Sequence, residues 1–262
     1  KLCRVGSFGL FEGKGDNIEF RAVERSGMDC WHMLKPPIPD NEYTLGVDVM
    51  EGRSADSKKP RSQPDYHGAV VLNRTTQSID CIYRGRCDPV ELGEQAVKCA
   101  RFYNHAWATP EVNDAGAVVL AVFKKMDYQN IYQRQVHDEQ WMESEAPELG
   151  WRTTRLTRKW LVDDLRKIIR DGDLKIPFRE IIEEMKTFVV DKYGKAAHMP
   201  GKHDDLLFGL MIALQLHLRC PLRPMPYPYE IAGEEPEFHE VKSLSMAGAI
   251  DTWEPGGEEE EE

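Results

Sequence analysis

Residues 43–50 read Tyr-Thr-Leu-Gly-Val-Asp-Val-Met (YTLGVDVM), an apolar, β-prone run with a single acid, Asp48, set inside it. The run ends near Gly52 and has the length and composition of a buried strand. An ionised carboxylate within such a strand is costly unless it is paired or bound to a metal. On an edge strand it could instead face solvent. Two further runs, 68–72 (GAVVL) and 79–83 (IDCIY), follow at the tight spacing of an antiparallel meander, with the charged stretch 53–64 between the first and second.

Downstream the pattern changes period. Asp88-Pro89-Val90-Glu91 opens a helix, with Asp at the cap, Pro in the first turn and an acid beside the helix dipole. It is predicted to run to about Asn104 with Val90, Ala96 or Val97, and Ala100 on its inner face. A fourth strand is expected over 106–112, with Glu111 near its close, then a helix over 117–125 and a short strand at 131–134. Residues 135–153 read as a loop. The spacing of Leu156, Trp160, Leu161, Leu165, Ile168 and Ile169 predicts an amphipathic helix over 155–170, stopped by Asp171-Gly172-Asp173. A short helix is expected over 178–185 and a hairpin from 187–190 and 195–198. An apolar helix over 206–218 is introduced by His203-Asp204-Asp205.

Charge is divided unevenly along the chain. Of the 262 residues, 45 are acidic and 34 are Lys or Arg; residues 221–262 hold twelve acids against Arg223 and Lys242, leaving 33 and 32 in the rest. The body is close to neutral, so the acidic total does not exclude a nucleic-acid partner, which needs only a local basic patch. No apolar run has the length of a membrane helix. The start KLCRVGSFGL carries no signal peptide and no initiator Met, from which a fragment or processed product is expected. Cys3, Cys30, Cys81, Cys87, Cys99 and Cys220 show no CxxC spacing and read as reduced thiols.

Asp48, Glu111 and the Asp204–Asp205 pair each have a bland explanation: an exposed strand acid, a strand-end residue, and a helix cap with an acid beside it. Their order is more informative. A strand acid, an acid ending a later strand and an acid pair opening a C-terminal helix follow the order of an RNase H-like nuclease. Converging carboxylates repel unless cations lie between them, and oxygen donors suit Mg²⁺ or Mn²⁺.

The stretches YTLGVDVMEG, PDYHGAVVLNR, TPEVNDAG, RLTRKWLVDDLRKIIRDGDLKI and PGKHDDLLFGLMIALQL, in this order over about residues 43–218, resemble the C-terminal nuclease domain of the large terminase subunit of tailed bacteriophages. The resemblance implies an α/β, RNase H-like mixed central sheet flanked by helices, with an extra β-hairpin near the active site and a flexible acidic C-terminal tail. It implies a leading segment or linker from a missing ATPase domain over 1–42, a nuclease domain over 43–220 and a Pro/Gly-rich tail, expected to be disordered, over 221–262. The implied activity is two-metal-ion endonuclease cleavage of concatemeric double-stranded viral DNA during packaging, with low sequence specificity.

Asp48, Glu111, Asp204 and Asp205 are the implied metal ligands, Asp205 ahead of Asp204. Asp65, which follows Pro64, resembles an auxiliary acid of the family or is a turn residue. The long loop between Asp48 and Asp65 departs from the commoner family pattern. Lys192, Lys195, His198, Lys202 and His203 are expected to contact DNA from the hairpin and its exit. Arg155, Arg158 and Lys159, with Arg152, Arg166, Lys167 and Arg170, give the long helix a basic face suited to phosphates or simply to solvent. His203 contacts phosphate or merely caps.

The partners implied are double-stranded DNA, the ATPase domain, the portal ring and the small terminase subunit, in the cytoplasm of an infected host and transiently on the procapsid. No membrane is involved. A phosphate-cradling GxxxxGK[ST] loop is missing: Gly9–Gly15 (GLFEGKG) has one spacer too few and Gly where Ser or Thr is needed, so no ATPase activity is expected. Another RNase H-like enzyme, such as a resolvase or transposase, and a DNA- or portal-docking module with little activity of its own are the alternatives.

Overall fold

A computed structural model describes residues 6–24, 29–50, 66–113, 115–134, 148–190 and 196–222. Seven strands form one sheet: β1 (Ser7–Lys14), β2 (Asn17–Ala22), β3 (Cys30–Met33), β4 (Tyr43–Asp48), β5 (His67–Asn73), β6 (Ser78–Gly85) and β7 (Trp107–Pro110), in the order β2-β1-β3-β6-β5-β4-β7. All neighbours are antiparallel except β4 and β7, which run parallel. A parallel neighbour needs a crossover, and α1 (Pro89–Phe102) provides it between β6 and β7. The meander expected from the runs at 43, 68 and 79 is β4–β5–β6.

The leading segment expected over 1–42 supplies three strands of this sheet. Its apolar residues are few but well placed: Phe11, Ile18 and Trp31 are buried in the same core as Leu45 and Val47. The GLFEGKG stretch lies in the β1–β2 hairpin, with Lys14 paired to Asn17, so its backbone is committed to a sheet.

Every residue of β5 is buried, because helices cover both faces of the sheet. Ala69 and Val71 face the core shared with α1 and α2 (Gly116–Lys125), whereas Val70 and Leu72 face α3 (Arg155–Asp171), α4 (Arg179–Thr187) and α5 (Asp205–Arg219). The remaining elements are the short pairs β8 (Gln133–Arg134) with β9 (Glu148–Leu149) and β10 (Phe188–Val190) with β11 (Ala196–His198).

Local signals set the helix ends. Asp88 accepts from the Val90 amide at 2.8 Å, as a cap should. Thr154 and Thr157 form a reciprocal capping pair at the start of α3, and Gly172 ends it in the left-handed conformation.

Two expected inner faces are shifted. Val90 is exposed on α1, where Leu92, Gly93, Ala96 and Val97 are buried. On α3, Leu156, Trp160 and Ile169 are exposed, and Thr157, Leu161, Val162 and Leu165 pack inward. In both helices the apolar stripe is wider than the surface the neighbouring elements can cover. The cysteines at 30, 81, 87, 99 and 220 are unbridged. Among the described residues no helix is long and apolar enough to cross a membrane.

Candidate active site

Alternation along β4 fixes where Asp48 points. Leu45 and Val47 join the α1/α2 core, and Thr44 and Gly46 face α5. Asp48 continues the second set. Helix α5 lies directly on the backbone there: a Cβ at Gly46 would strike the Gly209 carbonyl, and one at Gly68 would strike the Asp205 carbonyl. Gly68 is the register partner of Asp48. The close approach therefore sets the first turn of α5 against the end of β4.

The parallel neighbour delivers the second acid. Pro110 pairs with Val47, and the Glu111 amide donates to the Val47 carbonyl at 2.8 Å. Glu111 thus emerges beside Asp48, and the two carboxyls share a hydrogen bond. Asn113 Nδ2 steadies Glu111 by donating to Oε1 at 2.9 Å and to the Thr153 carbonyl at 3.3 Å.

Burial, then the Glu111 charge and their shared hydrogen bond, then the charges of Asp205 and Asp204, push the Asp48 carboxyl well above the usual carboxylate range. Asp48 keeps some solvent exposure at the residue level, although its carboxyl is densely surrounded. The surroundings decide its protonation.

The third and fourth acids open α5. Asp205 is buried, accepts from the Tyr66 amide at 3.4 Å and lies 3.6 Å from His203 Nδ1. Asp204 bonds His198 Nδ1 at 2.9 Å, which ties β11 to the start of α5. Arg84 of β6 approaches Asp205 at 3.9 Å and also lies 4.5 Å over the Tyr66 ring, whose other close guanidinium is Arg86 at 3.9 Å.

One acid of this cluster, Glu184 on α4, is not singled out by the sequence pattern. It is 5 % exposed, accepts from the Leu207 amide at 2.8 Å and stands 3.6 Å from Arg84. Burial pushes its carboxyl up to about 8, with Asp205 and Asp204 adding to the rise and the Leu207 amide and Arg84 opposing it. A signal existed: Glu184 follows Phe178 and Ile181 at the three-residue spacing of one helix face, and both of those are buried.

The expected basic residues separate into groups. Arg155, Lys159 and Lys202 are exposed, and His198 and His203 are half-buried beside the acids. Arg158 is turned inward: its Nε and Nη2 donate to the Ala196 carbonyl at 3.2 and 2.9 Å and the guanidinium lies over Phe208. An inward guanidinium anchors the hairpin to α3 and is a poor phosphate contact. Asp65, Lys192 and Lys195 lie outside the described residues.

Among the described residues no three His, Cys, Asp or Glu side chains form a ready-made metal cage. The donor set nonetheless fits a hard cation. All the central donors are carboxylate oxygens, the ligands a hard cation takes, and the Asp48 carboxyl is pushed up by burial and by its acidic neighbours, as a group suited to a cationic partner would be.

The architecture is a mixed α/β fold of the RNase H-like class. Solved structures that it resembles include nuclease domains of large terminases. The large terminase nuclease of thermophilic phage G20c with bound magnesium matches with a TM-score of 0.54 and 16% identity over 73% of this chain and 89% of that one. A second structure of the G20c nuclease matches at 0.50 and 18%, over 74% and 90%. The Thermus phage P74-26 large terminase nuclease domain matches at 0.51 and 16%, over 74% and 88%. No protein-family model and no curated protein sequence matches the chain.

Proposed function

We propose that this chain is a divalent-metal-dependent endonuclease that cuts double-stranded DNA during viral genome packaging. One observation carries the reading: Asp48, Glu111, Asp204 and Asp205 belong to three separate elements around the C-terminal ends of the parallel pair β4–β7, and the charges of the other three all act on the Asp48 carboxyl. The fold shared with the G20c and P74-26 terminase nucleases supports it.

Asp48 and Glu111 would hold a divalent ion, Mg²⁺ or Mn²⁺, with Asp205 and Asp204 from the opposite side. Two such ions per site are expected. Bound there, they would supply Lewis acidity for phosphodiester hydrolysis.

The chain's own groups do the rest. The Asp48 carboxyl, raised by burial and its acidic neighbours, must lose its proton to serve as a ligand, so cation binding is coupled to pH. Glu111 keeps its direction through Asn113. His198 and His203 give the Asp204–Asp205 turn donors that can be shared with a phosphate. Exposed Arg155, Lys159 and Lys202 offer sequence-independent phosphate contacts, in keeping with low sequence preference. The ATPase domain, portal ring and small terminase subunit belong to this reading as partners.

The test is plasmid cleavage in Mn²⁺, in Mg²⁺ and in EDTA, beside Asp48→Asn. Metal-dependent nicking and linearisation, lost in the variant, is expected. Folded wild-type protein that cuts with neither metal would sink the nuclease reading. It would favour a second one, a DNA- or portal-docking module, motivated by the exposed basic side chains of Arg155, Lys159 and Lys202.

A further inference from the structure

The first turn of a helix leaves amide N–H groups without partners, and the residue at the cap position normally answers one of them with its side chain. In α5 the residue at that position, Asp204, does not. Its backbone sits at φ −137°, ψ 16°, it makes no side-chain cap bond, and its carboxylate bonds His198 instead. The Leu207 amide, in the same first turn, donates to Glu184 Oε2 at 2.8 Å, from a helix twenty-three residues earlier in the chain. Arg84 adds a second tie, 3.6 Å from the other Glu184 oxygen and 3.9 Å from Asp205 Oδ2.

We infer that Glu184 is a positioning residue, which caps α5 in place of Asp204 and so leaves the Asp204 and Asp205 carboxylates available to the site. The division is chemically sensible. A carboxylate that caps its own helix is drawn back over the backbone amides. Supplying that acceptor from α4 lets two consecutive acids project from one turn. Arg84, close to both Glu184 and Asp205, offsets the repulsion between the two acids. The catalytic consequence rests on the nuclease reading above, whereas the capping itself does not.

The test uses wild-type protein, Glu184→Ala, Glu184→Gln and Asp204→Ala. Exchange of the Leu207 amide is followed by NMR without metal. At least about tenfold faster exchange is expected in Glu184→Ala, with near-wild-type exchange in Glu184→Gln, which keeps the acceptor oxygen, and in Asp204→Ala. Mn²⁺ titration by calorimetry should then show binding about 10–100-fold weaker in Glu184→Ala, the usual cost of losing support behind a ligand, and rescue by Glu184→Gln. The half-maximal Mn²⁺ for cleavage should shift in parallel.

Faster Leu207 exchange in Asp204→Ala would overturn the inference, since it would make Asp204 the cap; this variant decides the point even if Glu184→Ala fails to fold. A folded Glu184→Ala with a lower melting temperature and unchanged Mn²⁺ affinity would also overturn it, reducing Glu184 to a structural residue. If wild-type protein cuts nothing, the nuclease reading fails on its own, and exchange and calorimetry still judge Glu184.

Discussion

The two ends of the central strands β4, β5 and β6 both carry buried charge, and they treat it in opposite ways. At one end Asp80, fully buried, is met by Lys35 Nζ at 3.0 Å, Ser78 Oγ at 2.7 Å and Asn73 Nδ2 at 3.0 Å. Beside it Arg74 pairs with Glu42 at 2.8 Å and donates to the carbonyls of His217, Cys220 and Pro221, closing the C-terminal end of α5. At the other end, among the described residues, the ionic partners of Asp204, Asp205 and Glu184 are Arg84, His198 and His203, and Asp48 and Glu111 stand beside them. The first arrangement neutralises its charges with protein groups and needs nothing more. The second, among the described residues, gathers more carboxyls than cationic partners, and burial pushes two of them, Asp48 and Glu184, towards the protonated form. A strand aspartate is therefore no signature of function by itself; the company it keeps decides.

The largest effect should come from the end that carries Asp48. Asp48→Asn is expected to lower plasmid cleavage by about a thousandfold or more, roughly 4 kcal/mol of barrier. In urea titrations the same metal-free variant should be about 1–2 kcal/mol more stable than wild type, because it removes a repelling carboxyl. A loss of stability would erase the contrast between the ends.

Asp80→Ala should behave in the opposite sense. Unfolding should become easier by about 3–5 kcal/mol, since Lys35 and Asn73 lose their partner in a buried setting, while cleavage per folded molecule stays unchanged.

A third test uses pH. The folded Glu184 carboxyl is raised from 4.5 to about 8, so folding favours its protonated form. That contribution is complete below about pH 4.5 and is lost as pH rises toward 8. Metal-free stability should therefore fall by a few kcal/mol across this window, and Asp48, shifted the same way, reinforces the trend. Saturating Mn²⁺ should flatten or reverse the slope in thermal melts. A metal-free protein whose stability rises with pH would count against the reading.

The smallest effect concerns the exposed helix. Lys159→Ala should reduce the salt dependence of DNA binding by about one charge in the log–log slope, uniformly across sequences. Measured by fluorescence anisotropy, an unchanged slope would remove α3 from the DNA path.

The acids that sequence could expose are those whose neighbours in the chain are apolar. Asp48 inside LGVDVM, Glu111 at the close of β7 and Asp204–Asp205 before LLFGLMIAL are conspicuous for that reason. The elements carrying them are legible on the same ground, as is α1 from Asp88-Pro89. Glu184 is less conspicuous, because it lies among other charges in REIIEEMK and only its partners across the fold, Leu207 and Arg84, reveal its burial.

The strands β1–β3 escape notice for a related reason. Their apolar residues are sparse, and their stability comes from pairing onto β6 and packing on α1, which are long-range facts. The outward turn of Leu156 and Trp160 is likewise set by what α5 leaves uncovered. Arg158 and Lys159 are adjacent and similar in sequence, yet one anchors the hairpin and the other meets solvent.

The order of the acids along the chain has a consequence for synthesis. A ribosome delivers Asp48 first, then Glu111 and Glu184, and the Asp204–Asp205 pair last, with α5 following. The packing of α5 on Gly46 and Gly68 sets the turn bearing that pair against β4, and it forms only once α5 is made. On the nuclease reading, a nascent chain that has not yet delivered α5 would be harmless to the nucleic acid around it, and cutting competence would wait for that helix.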